Sequence, residues 1–146
     1  MRYLLDTNVI SELVKKAPNR NVLSWIDECD ETALFLSVIT FGELQKGISK
    51  LRDKSRAEQL QKWVEQDLVK RFKGRILPID LEVIITWGKV QGISEKNGTK
   101  LPVMDSLIAA TAIAHHLTVV TRNVNDIERC QASVFNPWDN VYFDSF

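Results

Sequence analysis

Three acidic residues, Asp6, Glu43 and Asp126, stand where an apolar run of strand length gives way to a helical or polar segment. A fourth, Asp105, opens a long apolar helix. In a parallel sheet the strands' C-terminal ends and the helix starts that follow them share one edge, so the four carboxylates are expected to converge there. Four such groups repel one another and carry raised pKa values unless a cation neutralises them. A ligand set made only of oxygens suits Mg²⁺ or Mn²⁺, whereas zinc prefers His and Cys. A carboxylate-held Mg²⁺ that keeps several waters is suited to phosphodiester hydrolysis. The sequence offers no Ser-His-Asp or Cys-His arrangement and no Gly-rich phosphate loop after the first strand. His115 and His116 fall at the far end of the buried helix and are read as surface or core-boundary residues, not ligands.

The elements that must position these acids follow from hydrophobic patterning. Met1 to Leu5 is a short buried strand, and Asn8 is the expected N-cap of a helix through Val9, Ile10, Leu13 and Val14 that stops before Pro18. Val22, Trp25, Ile26 and Cys29 mark a second helix. Ala33 to Val38 is an apolar run without alternation, as in a strand buried on both faces. A helical stripe through Leu44, Ile48 and Leu51 follows, and the longest amphipathic helix is expected from Ser55 to Phe72, ended by Gly74. Ile76 to Ile79 is a third strand, which Pro78 assigns to an edge or a strand end. Asp80 caps a helix with Val83, Ile84, Trp87 and Val90 inside, and Ser106 to Ala114 forms a helix apolar nearly all round. Thr118 to Thr121 is a fourth strand, Arg122 to Asp126 a polar loop, Val134 and Phe135 a last short strand, and Asn136 begins a tail. The expected architecture is one α/β domain with a mainly parallel sheet.

Each acid also has a local explanation. Asp6 could serve its turn, Glu43 a capping box with Thr40, Asp105 the N-cap of its helix and Asp126 an Asx-turn. The 146 residues are 45% hydrophobic and 26% charged, with 19 Lys and Arg against 19 Asp and Glu. No whole-chain charge excess therefore points to nucleic acid or membrane. The distribution is less even. Lys46 to Arg75 holds ten basic and four acidic residues, while Asp27 to Glu31 holds four acids and no base. Such a basic segment is either a solvated helix face or a surface for phosphates. Cys29 and Cys130 have no ligand or redox spacing and read as small core residues. Neither a secretory signal nor a run near the ~20 apolar residues of a membrane span is present, which leads us to expect a cytoplasmic protein.

Four stretches, in order and at characteristic spacings, resemble the motifs of PIN-domain ribonucleases, specifically VapC-type toxins on the FitB-like branch. They are Leu5 to Leu13, Leu36 to Leu44, Leu101 to Ala112 and Leu117 to Asp126; Asn136-Pro137-Trp138 resembles a common ending of that branch. The resemblance implies a three-layer α/β/α sandwich with residues 1–146 as a single PIN-like domain. It implies a Mg²⁺- or Mn²⁺-dependent endoribonuclease, a homodimer, and a cognate VapB-type antitoxin joined in a heterotetramer or larger assembly. Residue by residue, Asp6, Glu43, Asp105 and Asp126 would bind metal, with Thr7, Asn8, Thr121 and Asn123 orienting water, metal or carboxylates around them. Lys46 and Lys50, which follow Glu43 on its helix, could hold the RNA backbone against the repulsion of the acids. The chain departs from the family pattern after Asp126, where Ile127 and Cys130 stand in the region of a frequent Phe and a later Gly.

Two other readings fit the residues. A phosphatase with Asp6 as nucleophile usually has a second Asp two positions on as general acid, and here that position is Asn8. A non-catalytic module could use the same acids to grip a partner's arginines.

Overall fold

Short apolar runs separated by amphipathic ones give a central sheet covered on both faces. The computed structural model describes residues 1–139 and the backbone of residues 141–143. Six strands lie in the order β3-β2-β1-β4-β5-β6. They are β1 (Tyr3–Leu5), β2 (Leu34–Ser37), β3 (Ile76–Leu77), β4 (Thr118–Val120), β5 (Val134–Asn136) and β6 (Val141–Phe143). The first five are parallel, and β6 runs antiparallel to β5, pairing Phe135 with Tyr142. The expected tail after Asn136 thus returns as an edge strand. The sheet order could not be read from local pattern, because β1 takes the centre between β2 and β4 through contacts distant in sequence.

The pleat sends alternate residues to opposite faces. Leu5, Leu34, Leu36, Val120 and Phe135 pack on one side with Val9, Ile10, Trp25, Leu44 and Phe72. Leu4, Val119 and Val134 pack on the other with Ile108, Ala109, Ala112 and Ile127. Two cores flanking one sheet make three layers, the expected α/β/α sandwich. Each fully buried Leu, Ile or Val contributes about 1.5–3 kcal/mol. The first core is covered by α1 (Thr7–Leu13), α2 (Arg20–Glu28), α3 (Val38–Ser49) and α4 (Lys54–Lys62). The second is covered mainly by α7 (Val103–His115) and α8 (Val124–Glu128), with α6 (Leu81–Lys96) packed on α7.

The long helix expected from Ser55 to Phe72 is one rod with a change of pitch. After α4 the backbone is π-helical over Trp63–Leu68, then finishes in a single turn, α5 (Val69–Arg71). A π turn brings residues five apart into register; Trp63 and Leu68 both meet the first core. Gly74, at φ 82°, takes the left-handed conformation that lets the chain turn back toward β3. Pro78 lies just past β3, an edge strand, as its missing N–H requires. On α6 the inward positions are Val83 and Gln91, with Trp87 and Val90 half-buried; Ile84 is 40% exposed, contrary to its expected place inside. Cys29 and Cys130 are free thiols, the first half-buried and the second buried.

The basic segment does not form one face. Arg71 and Arg75 reach Glu31, which precedes β2, with N–O distances of 3.0 and 2.9 Å. Arg75 also donates to the carbonyls of Glu31, Leu34 and Arg71 and lies over the Phe72 ring. Glu31 belongs to the acidic stretch Asp27 to Glu31, so part of the two charge blocks cancels at the N-terminal edge of the sheet.

Candidate active site

The opposite edge, where the parallel strands end, gathers the acids. Asp6 follows β1 and is 7% exposed. Its Oδ1 accepts from the Thr7 backbone N–H at 2.8 Å, so Asp6, not Asn8, caps α1. Its Oδ2 accepts from the Thr121 hydroxyl at 2.8 Å, just after β4. Asn8 lies inside the helix and faces sideways. Its Nδ2 donates to Thr121 Oγ1 at 3.1 Å and its Oδ1 accepts from the Arg122 N–H at 3.3 Å. Thr121 Oγ1 also accepts from the Asn123 N–H at 3.0 Å. A buried hydroxyl with these partners can aim its one proton only at Asp6. Thr7, Asn8 and Thr121 thus hydrogen-bond around Asp6 and Glu43 through their side chains or backbone, while Asn123 contributes its backbone N–H.

Glu43 has a different setting from the one its spacing suggested. The N-cap of α3 is Ser37, whose Oγ accepts from the Ile39 N–H at 3.0 Å. The helix starts three residues earlier than a capping box at Thr40 and Glu43 requires, and both residues lie within it. Thr40 is fully buried, and Glu43 Oε1 accepts from the Thr7 hydroxyl at 2.6 Å. With the capping explanation removed, Glu43 is tied to the residue beside Asp6. Asp105 likewise is no N-cap. Pro102 holds that position, and Asp105 lies in the first turn of α7, half-buried.

Asp6, Glu43 and Asp105 line one cleft of about 340 Å³. Burial raises the Asp6 carboxyl above its ordinary value, against the lowering effect of Thr121 and Thr7, and the charges of Glu43 and Asp105 raise it further. Asp105 is raised first by burial, then by Asp126 and Glu43. No ion pair meets Asp6, Glu43 or Asp105 among the described residues. Asp126 does not line this cleft, although its charge acts on Asp105. The expected polar loop winds into α8, and Asp126 pairs with Arg129 one turn on, at 2.9 Å, beside a neighbouring cleft. Ile127 and Cys130, which depart from the family pattern, point into the second core and fix this turn. Burial and the charge of Asp105 push the Cys130 thiol up to about 11, so it is no metal-binding thiolate.

The donor set is all oxygen and suits a hard divalent cation. Among the described residues, however, no three acids stand together as a ready ligand group. The charge coupling of Asp105 to both Glu43 and Asp126 shows that they are within electrostatic reach. Carboxylates that repel hold apart until opposite charge draws them in. Asp6, Glu43 and Asp105 thus fit such an ion by chemistry and placement, whereas Asp126 has one carboxylate oxygen engaged by Arg129.

Five further residues, Ser11, Glu12, Lys15, Arg122 and Trp138, share the cleft and were not expected as site members. Glu12 is buried, accepts from Lys15 Nζ and the Asn19 N–H, each at 2.9 Å, and is held below its ordinary value first by Lys15. Arg122 and Trp138 also line the cleft, with the Arg122 Cζ over the Trp138 ring. The signal for both was present: Arg122 sits between Thr121 and Asn123, and Trp138 ends the Asn136-Pro137-Trp138 motif. Lys46 and Lys50 line an adjoining groove of about 540 Å³ that shares Glu43 with the acidic cleft.

A family model described as PIN domain matches residues 3–130. The chain belongs to the PIN-domain family. Among its relatives, Toxin FitB of Neisseria gonorrhoeae is 38% identical over 92% of this chain and 97% of its own. VapC ribonuclease Y4jK of Sinorhizobium fredii is 37% identical over 93% and 97%. Of solved structures, the FitAcB crystal structure from N. gonorrhoeae superimposes with a TM-score of 0.88 at 38% identity, covering 93% of this chain and 98% of the other. The family resemblance read from four motifs and the three-layer sheet fold expected of a PIN domain are both borne out.

Proposed function

We propose that this chain is a Mg²⁺- or Mn²⁺-dependent endoribonuclease, the toxin of a toxin–antitoxin pair, with residues 1–146 as one PIN domain acting in the cytoplasm. One observation carries the chemistry: Asp6, buried and fixed by two hydrogen bonds, shares its cleft with Glu43 and Asp105 and has no cationic partner among the described residues. Asp6, Glu43 and Asp105 would hold the ion, with Asp126 as a fourth ligand. When bound, a divalent ion supplies Lewis acidity toward the phosphate oxygens and lowers the pKa of a bound water. The residues do the rest. Thr121 and the Thr7 N–H fix the direction of the Asp6 oxygens, Thr7 fixes Glu43, and Asn8 locks Thr121. Lys46 and Lys50 offset the repulsion between the acids and an RNA backbone.

The names of the relatives support this reading: a VapC ribonuclease and Toxin FitB align over nearly the whole chain. A solved relative, 36% identical, is FitAB bound to a DNA fragment, and by analogy we propose a VapB-type antitoxin as partner and a homodimer as the toxin's own state. An antitoxin arginine suits a cleft with surplus carboxylates. The aspartyl-phosphatase reading is disfavoured because the Asn8 side-chain amide donates its N–H to Thr121 and accepts from the Arg122 N–H, and no acid stands in its place.

The test is RNA cleavage by the purified chain with Mg²⁺ or Mn²⁺. Cleavage is expected to stop with EDTA and to fall on the order of 10³-fold in Asp6→Asn, the scale of losing one preorganised electrostatic partner. A metal-stripped chain or an Asp6→Asn variant cutting at the wild-type rate would overturn the mechanism.

A further inference from the structure

Most arginines whose contacts are described here are bound to acids or carbonyls. Arg71 and Arg75 hold Glu31, Arg129 holds Asp126, and Arg56 donates to the Val14 carbonyl. Lys15 holds Glu12. Arg122 is the exception inside the acidic cleft. It lines the cleft with Asp6, Glu12, Glu43 and Asp105 and forms no ion pair with any of them among the described residues, its charge reaching Glu12 only as the smallest of the causes that hold that carboxyl low. Its Cζ lies 5.3 Å from the centroid of the Trp138 ring.

Both members of this stack are rooted. The Arg122 N–H is held by Asn8, the residue that also locks Thr121. The Trp138 N–H donates to the buried Asn136 Oδ1 at 2.9 Å, and its carbonyl accepts from Asn21 Nδ2 at 2.8 Å. A stacked guanidinium keeps its in-plane N–H donors free while losing rotamer freedom in advance, which favours bidentate capture of a phosphate. Sheet order sets its place. Arg122 follows β4 and α3 follows β2, with β1 and Asp6 between them. The cation therefore stands across the acids from Lys46 and Lys50.

We propose that Arg122, stacked on Trp138, holds an RNA phosphate on the wall of the cleft opposite α3, so that the strand crosses the acids between two cationic supports. This rests on the ribonuclease reading above. Arg122 is exposed, and its anchor to Asn8 is through the backbone, so its side chain can be changed without removing a core group.

The experiment uses the full chain carrying Asp6→Asn and follows the anisotropy of a labelled single-stranded RNA over a salt series. Adding Arg122→Ala is expected to weaken binding about tenfold and to make the slope of log K against log salt shallower by about 0.7, the value of one single-strand phosphate. Arg122→Lys is expected to keep the slope. A parental affinity in Arg122→Ala, or weaker binding with an unchanged slope, would overturn the proposal. In the chain with Asp6 intact, Arg122→Ala is expected to raise KM for RNA more than it lowers kcat. RNA cleavage with an unaltered KM would overturn the role of Arg122 alone, whereas a wild-type chain that cuts no RNA with Mg²⁺ or Mn²⁺ would overturn the ribonuclease reading itself.

Discussion

The two edges of the sheet treat charge in opposite ways. At the N-terminal edge, Glu31 is bracketed by Arg71 and Arg75, and its carboxyl is held below its ordinary value first by the Arg71 hydrogen bond. At the C-terminal edge, Asp6 and Asp105 are raised by burial and by one another's neighbours. The first edge has the charges it needs and is architecture. The second is short of positive charge, and that deficit is what a divalent ion and a basic strand-binding wall would correct. A raised carboxylate beside other carboxylates in a cleft marks a site of chemistry more reliably than an acid count does.

The contrast can be broken at several points. Thr121→Val removes the hydroxyl on which Asp6, Asn8 and Asn123 converge. RNA cleavage per folded molecule is expected to fall 10–100-fold, the usual range for a residue that orients a metal ligand, and unfolding to become easier by roughly 1–3 kcal/mol as buried partners lose their hydroxyl. At the other edge only stability should suffer. Arg75→Ala leaves Glu31 and buried-side carbonyls short of donors and is expected to cost about 2 kcal/mol in urea unfolding while cleavage per folded molecule stays unchanged.

The smallest effect separates the edges by pH. A carboxyl raised in the folded state binds its proton more tightly there than when unfolded, so ionising it disfavours the fold. Stability attributable to Asp105 is therefore greatest below its unfolded value near 3.8 and declines as pH rises through the raised folded value. Asp105 is partly exposed, and Asp105→Asn is expected to raise the melting temperature near neutrality by only ~1–2 °C while impairing cleavage. Glu31, held low, has the opposite sign: its stabilisation is present above the ordinary value and is lost as pH falls through the lowered one. Melting curves across acid pH for Asp105→Asn and Arg75→Ala should diverge in these directions. Cleavage should weaken as acidification protonates Asp6 and Asp105, at a higher pH than ordinary aspartates require.

Much of this is legible in the sequence. The apolar runs of β1, β2, β4 and β5 and the acids behind them follow from composition and period, because a doubly covered parallel strand must be apolar throughout. Local rules failed where two candidates compete for one role. Both Asp6 and Asn8 can cap α1, and both Ser37 and Thr40 can start α3; the strand's last hydrogen bond decides, and that depends on a distant partner. The diversion of Asp126 by Arg129 and the capture of Arg71 and Arg75 by Glu31 were equally hidden. Net charge over a stretch says nothing of which charges already have partners. Arg122 was missed for the converse reason, since its place beside Trp138 arises only when β4 and the turn after β5 are adjacent.

The hydrogen bond from Thr121 to Asp6 joins residues 115 apart in sequence. Its consequence concerns time. As the polypeptide leaves the ribosome, β1 and its aspartate emerge early but have only one of their two neighbouring strands until β4 has been made. Until then Asp6 lacks its fixing hydroxyl, and Arg122 has not been synthesised. Placing the oldest strand between an early and a late one means that the cleft cannot assemble on a partly translated chain.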